Sequence, residues 1–179
     1  MSDNEAEIGF LRSFFAHRAY VAEGVRIVVN RLSERANTHD LSKLQDDEFK
    51  SYCRINAGVR SGLKFGTPEY TELIKREKEF VDLHFSRNRH HPERPRFAAG
   101  IDTELDDYNY AVKLAAEAMT FIDIIEMVVD WWAARKGYGD TRPWAESVEL
   151  NFKSKAKYLS PGQLWLAQSV AELFEKETD

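Results

Sequence analysis

The chain has 179 residues, of which 31% are charged and 43% apolar, with a net charge of −5 and one cysteine. Such a chain is long enough for one globular domain that buries about 70% of its unfolded surface, so folding needs neither disulfides nor a structural metal. The composition is that of a globular protein rather than a disordered one, and the acidic balance disfavours general nucleic-acid binding, which requires a cationic face, while leaving room for a local phosphate site. Cys53 stands alone, so no intrachain disulfide forms and the cytoplasm is the expected compartment. The start "MSDNEAEIGF" lacks the basic and apolar regions of a signal peptide, and no run of about 18 apolar residues spans a membrane.

The segment "EIGFLRSFFAHRAYVAEGVRIVVNRLSER" places Phe10, Phe14, Val21, Val25, Val28 and Leu32 on one helical face. His17 fills the gap in that series, which predicts a core-facing histidine. A second helix is expected over "ANTHDLSKLQDDEFKSYCRI", capped by Asn37 or Thr38. The surroundings of Gly58, Gly62 and Gly66 read as loop. "TPEYTELIKREKEFVDLHFSRN" restarts with Thr67 as cap and Pro68 at the first helical position. Its stripe of Tyr70, Leu73, Ile74, Phe80 and Val81 leads on to His84.

"RHHPERPRFAAG" reads as a proline-bounded loop, followed by a helix over "ELDDYNYAVKLAAEA". "FIDIIEMVVDWWAARKG" is a strongly apolar helix closed by Gly137. Helices are also expected in "AESVELNFKSKA" and "SPGQLWLAQSVAELFEKE". Ser160, Pro161 and Gln163 supply a cap, a starter and a capping-box partner for the latter. The prediction is an all-α single domain over 1–179 with about six to seven helices. The last helix fits either a cover for the core or a homodimer contact.

The five histidines carry the chemistry. His17 and His84 sit on apolar stripes of different helices, His39 stands beside Asp40, and His90 and His91 follow in a loop. A buried, hydrogen-bonded histidine is the ordinary reading of His17 or His84 taken singly. No histidine is left over as a scattered surface residue, which favours convergence. Asp123, Glu126 and Asp130 fall within an arc of about 60° on an otherwise apolar helix. Buried carboxylates need a cation or donors, so this stripe belongs either to a metal site or to a solvent edge. His39 and Asp40 can share a metal lying beyond the helix start, where their differing reach converges. Lys43, one turn on, offers an ammonium to a phosphate or an ordinary ion pair to Asp40.

The order of these residues resembles the HD-domain superfamily of metal-dependent phosphohydrolases. The pattern there is a histidine on the first helix, a His-Asp pair, further histidines and a late aspartate. His17, His39, Asp40 and Asp130 match its four-residue core, and His84 with His90 or His91 matches the additional histidines of members that hold two metals. "HDLSK", "NRHHPE" and "EMVVDWW" also look like a smaller family of bacterial and phage proteins with HD-like features. The resemblance covers about residues 10–135 and leaves the C-terminal helices, about 143–177, without a counterpart. It leaves open which of His90 and His91 is the ligand and whether Asp123 replaces Asp130.

It implies a metal-dependent phosphohydrolase acting on a nucleotide or another small phosphate ester. Imidazole and carboxylate ligands suit one or two ions of Mn, Fe, Co, Ni or Zn. Two such ions about 3.5–4 Å apart clamp an anion and activate water. Lys43 is the expected phosphate contact, with Arg87, Asn88 and Arg89 as substrate-binding neighbours and Arg94 and Arg96 close by in sequence. Lys43 and Glu126 are the catalytic candidates. Glu126 is read as a support for a ligating histidine, a base or a ligand, and Glu93 carries the same ambiguity. Tyr108, Tyr110, Trp131 and Trp132 are read as core or as base-stacking aromatics. Two alternatives stand beside this reading: an HD-type di-iron oxygenase, and a non-catalytic nucleotide- or metal-binding protein.

Overall fold

A computed structural model describes residues 3–93 and 118–175. Among the described residues there are seven α-helices and two short 3-10 turns, and no strand. The expected all-α architecture is therefore observed. The chain divides into two compact units, Met1–Thr38 and His39–Asp179. The expected helix over 104–118, with Tyr108 and Tyr110, lies outside the described residues except for Ala118, and Arg94 and Arg96 lie outside them too.

The described part of the first unit is the single helix α1, Asp3–Thr38. Its periodic apolar side chains, Phe10, Phe14, Val21, Val25 and Val28, are exposed. His17 is exposed as well, so the expected core-facing slot is not realised in this unit. The reason is that no second element of the unit faces that stripe, and periodicity alone cannot supply one.

The second unit opens differently from the expected capped helix. α1 runs on through Asn37 and Thr38, whose hydroxyl donates to Glu34 O at 3.1 Å. Asp40 then adopts a left-handed conformation, φ 56°, and starts a 3-10 turn over Leu41–Leu44. "HDLSK" is thus a turn, and α2 begins only at Asp46, ending at Arg60. Among the described residues Asp40 is the one non-glycine with positive φ. Aspartate tolerates this region better than most residues, yet it remains sparsely used and is found where function demands a particular side-chain direction.

Gly58 lies inside α2 rather than in a loop. A Cβ there would meet Leu73 Cδ2 at 2.5 Å, so the missing side chain leaves room for the end of the Leu73 side chain from the next helix. The chain turns at Gly62 and Gly66, both with positive φ. Thr67 accepts from Tyr70 N at 3.3 Å, and Pro68 opens α3, Pro68–Arg76, as expected. The long helix expected here breaks at Glu77, and α4 covers Lys78–Arg87. Glu77 is held by Ser51 Oγ at 2.8 Å and by the Arg54 guanidinium at 2.5 and 2.6 Å, which fixes the break onto α2.

α5, Phe121–Gly137, has the bounds read from sequence, though the backbone reverses at Gly139, φ 68°, after Tyr138 caps the helix. α6 covers Trp144–Lys155, and α7 covers Pro161–Leu173 behind the anticipated Ser160–Gln163 capping box. α5 packs on α6 and α7 around Ile124, Met127, Val128, Trp131, Trp144, Leu159, Ala167 and Val170. Trp144 Nε1 donates to Ala171 O at 2.9 Å, so the buried indole leaves no orphan donor. Trp131 is a core residue, edge-on to Phe152. α2, α3 and α4 pack on one another, and the Leu41–Leu44 turn packs on α2 and α4. No described helix is long and apolar enough to cross a membrane.

Candidate metal centre

The turn at Asp40, the end of α4 and the middle of α5 bring four histidines and several carboxylates together. The left-handed residue lets adjacent His39 and Asp40 both serve this cluster, which a regular helix would forbid because neighbours point about 100° apart. His84 comes from α4, His90 and His91 from the loop after it, and Glu126 and Asp130 from successive turns of α5.

Among the described residues, two groups have the proximity that a metal ion needs. Asp40, His84, His90 and His91 each offer one ligand atom within 4.8 Å of the others, and so do His39, His90 and Asp130. Both histidines of the His-His pair therefore belong to the cluster. Of Asp123 and Asp130, it is Asp130 that lies in one of these groups. Asp123 is used elsewhere: it completes the capping box with Thr120 and accepts from Arg89 at 3.0 and 3.2 Å. His17 lies outside both groups.

The first group passes a stringent test of fit. Asp40 Oδ1, His84 Nε2, His90 Nε2 and His91 Nε2 are buried and make no hydrogen bond. Asp40 Oδ1 lies 3.2 Å from His84 Nε2 and 3.4 Å from His90 Nε2, without hydrogen-bond geometry. Orphaned buried polar atoms are costly and rare, and four converging on one point have the donor set of a transition-metal site.

The surrounding groups fix the histidine tautomers. His84 Nδ1 donates to Glu48 Oε2 at 2.9 Å; the carboxylate only accepts, so the proton sits on Nδ1 and Nε2 keeps its lone pair. Ser42 Oγ donates to the same carboxylate oxygen at 2.9 Å, and Arg87 donates to Glu48 Oε1 at 2.7 Å. Glu126 Oε1 lies 3.0 Å from His39 Nδ1 and 3.4 Å from His90 Nδ1. Glu126 thus stands behind two imidazoles and orients them, rather than facing the centre as a base. Carboxylates behind ligating histidines are the usual device for holding ring orientation and raising basicity.

Burial above all, then the neighbouring His90 and His84 rings and the Lys155 ammonium, hold His91 well below the ordinary histidine pKa, so it is the neutral imidazole a metal requires. His39 behaves differently. Burial opposes its charge, but Asp130, Asp40 and Glu126 outweigh that and push its pKa up to about 11. Burial also works against the Asp40 carboxylate, and His39 and Lys43 overcome it, holding Asp40 far below the usual carboxylate range. Lys43 Nζ donates to Asp40 Oδ2 at 2.5 Å and lies 4.6 Å above the Tyr52 ring.

The expected phosphate contacts are otherwise engaged. Arg87 is tied to Asp47 and Glu48, Arg89 to Asp123 and Ala118 O, and Asn88 Nδ2 donates to Ser42 Oγ and His84 O. Glu93 is paired with Lys155 beside Phe85. Sequence reasoning missed Glu48, hidden in "QDDEFK" as an apparently solvated helix start; no local signal separates it from Asp46 and Asp47. It also missed Ser42, which stands between Glu48 and Asn88.

No curated protein and no solved structure matches the chain. Residues 6–177 match a family described as a family of unknown function, DUF5662. That match spans nearly the whole sequence, and the chain belongs to this family.

Proposed function

We propose that the second unit is a metal-dependent phosphohydrolase centre acting on a nucleotide or another small phosphate ester. The observation that carries the reading is the convergence of the four orphaned atoms of Asp40, His84, His90 and His91. These residues would hold a divalent transition metal, with Mn, Fe, Co, Ni and Zn all compatible with the donor set. When bound, such an ion supplies Lewis acidity and lowers the pKa of water from 15.7 to about 7.

The chain's own residues prepare the site for that ion. Glu48 keeps a proton on His84 Nδ1 and so presents the Nε2 lone pair. Glu126 orients His39 and His90. Burial keeps His91 neutral. Lys43 retains 27% of its side-chain surface, and its ammonium offsets charge on phosphoryl oxygens that approach Asp40. The order of His39, Asp40, the later histidines and Asp130 resembles HD-domain phosphohydrolases, and this supports the choice of reaction.

A second reading, an HD-type di-iron oxygenase, has one observation in its favour. The site is rich in imidazoles, which suit iron, while Arg87 and Arg89 are held by carboxylates and do not wait for phosphate. Elemental analysis paired with phosphate release from nucleoside mono- and triphosphates under Mn(II) tests the first reading; oxygen uptake under Fe(II) tests the second. Replacing Asp40 by alanine should abolish metal binding and turnover while preserving helicity. Wild-type metal content in Asp40→Ala would place the site elsewhere.

A further inference from the structure

The two candidate groups share His90, yet their side chains meet in opposite ways. In the first, four ligand atoms face one another with no donor between them. In the second, the atoms already satisfy one another: His39 Nε2 lies 3.2 Å from Asp130 Oδ1 and 3.4 Å from Asp40 Oδ2. A ring nitrogen lone pair serves one ion, so an ion in the first group takes the Nε2 of His90 and leaves His39 and Asp130 to hold a second. Beside His39 and Asp130, the other oxygen of Asp40 is the further ligand within reach of such a second ion. That oxygen, Oδ2, is occupied by Lys43 Nζ at 2.5 Å.

Resting on the metal-centre reading above, we infer that Lys43 stands in for a second ion: one divalent ion binds tightly at Asp40, His84, His90 and His91, and the Lys43 ammonium keeps the His39–Asp130 subsite from filling. The ammonium is poorly placed to leave. It is anchored over the face of Tyr52, 4.6 Å from the ring centroid, where a cation is attracted by the ring quadrupole. Its backbone N–H also donates to Asp40 O at 2.9 Å, so the residue is fixed within the same one-turn helix as the carboxylate it neutralises. A second divalent ion at Asp40 Oδ2 would have to displace this charge or sit beside it, and like charges at that range repel strongly in a partly buried site. The Asp40 carboxylate at the edge of the second subsite is thus neutralised from within by Lys43.

The test is metal stoichiometry, independent of turnover. The full-length protein is stripped with chelator, titrated calorimetrically with Mn(II), then dialysed and measured by elemental analysis and electron paramagnetic resonance. Wild type and Lys43→Arg should bind one ion per chain and give the spectrum of isolated Mn(II). Lys43→Met, which keeps stem length without charge, should bind a second ion at least tenfold more tightly than wild type and show spin coupling. Far-UV circular dichroism confirms that the variant folds, and Lys43→Gln repeats the test if Lys43→Met does not. Two ions of similar affinity in wild type would overturn the stand-in role while leaving the metal centre intact. A single ion in folded Lys43→Met and Lys43→Gln would overturn it too. No ion in wild type would sink both this inference and the proposed function.

Discussion

Glu48 Oε2 accepts a hydrogen bond from the Nδ1–H of His84 at 2.9 Å, and both side chains are fully buried. A buried carboxylate behind a ligating imidazole fixes which nitrogen faces the metal, and removing such a group typically costs about 10–100-fold in metal affinity. Glu48→Gln should weaken Mn(II) binding by that factor with helicity unchanged, measured by competition against a chelator. Unchanged affinity would show that His84 is oriented by Ser42 and Asn88 alone.

Metal binding to a preformed cluster stabilises the fold by mass action, by about 2.7 kcal/mol when free metal stands at 100 times its dissociation constant. Thermal melts of stripped protein should therefore shift upward with Mn(II) and return on adding chelator. Helicity should persist without metal, because the core around Trp131, Trp144 and Ala167 contains none of the ligands. Loss of helicity on stripping would mean that the ion is a folding clip instead.

Arg89 is a support for α5. It donates to both oxygens of Asp123, which is 1% exposed, and to Ala118 O. Arg89→Ala should lower stability by about 1–3 kcal/mol, discounted because the arginine is partly exposed and Asp123 keeps its Thr120 bonds. Metal stoichiometry should not change. A wild-type melting temperature with impaired substrate affinity would return Arg89 to the role of a phosphate contact.

Gly58 is the point of closest approach between α2 and the Leu73 side chain of α3. Gly58→Val adds volume where a Cβ would already lie 2.5 Å from Leu73 Cδ2 and 3.2 Å from Leu63 Cδ1. Overpacking of this kind costs about 1–3 kcal/mol, more than the helix propensity gained on replacing glycine. Urea unfolding of the variant should show the loss as a lower midpoint.

The Glu77 carboxylate is held below its ordinary range by the Arg54 guanidinium, with Ser51 adding a donor against the cost of burial. A pKa depressed in the folded state means that the unfolded chain takes up the proton first as pH falls. The stability Glu77 contributes is therefore fully present above its unfolded value, about 4.5, and is lost as pH drops through the folded value. Wild type should melt above Glu77→Gln at pH 7, and the gap should narrow below pH 4.5. A constant gap across that range would assign the effect of Glu77 to packing.

The sequence by itself determined the helical class and the ends of several helices, because caps, starters and stops act over a few residues. Thr67–Pro68 and Ser160–Pro161–Gln163 are seen as read, and so is α5 with its acidic stripe. It also pointed to His84, on an apolar stripe, and to the His39–Asp40 and His90–His91 pairs, though it grouped the exposed His17 with them. What periodicity cannot report is which side chains meet across the fold. His39 and Asp130 touch although 91 residues apart, and Asp123, two turns earlier on the same face of the helix, goes to Arg89 instead. That choice, the left-handed turn at Asp40, the hidden support of Glu48 and the pairing of Lys43 with Asp40 were decided only by how α2, α4 and α5 pack. Side-chain convergence depends on interhelical placement, and a rule that looks three or four residues ahead has no access to it.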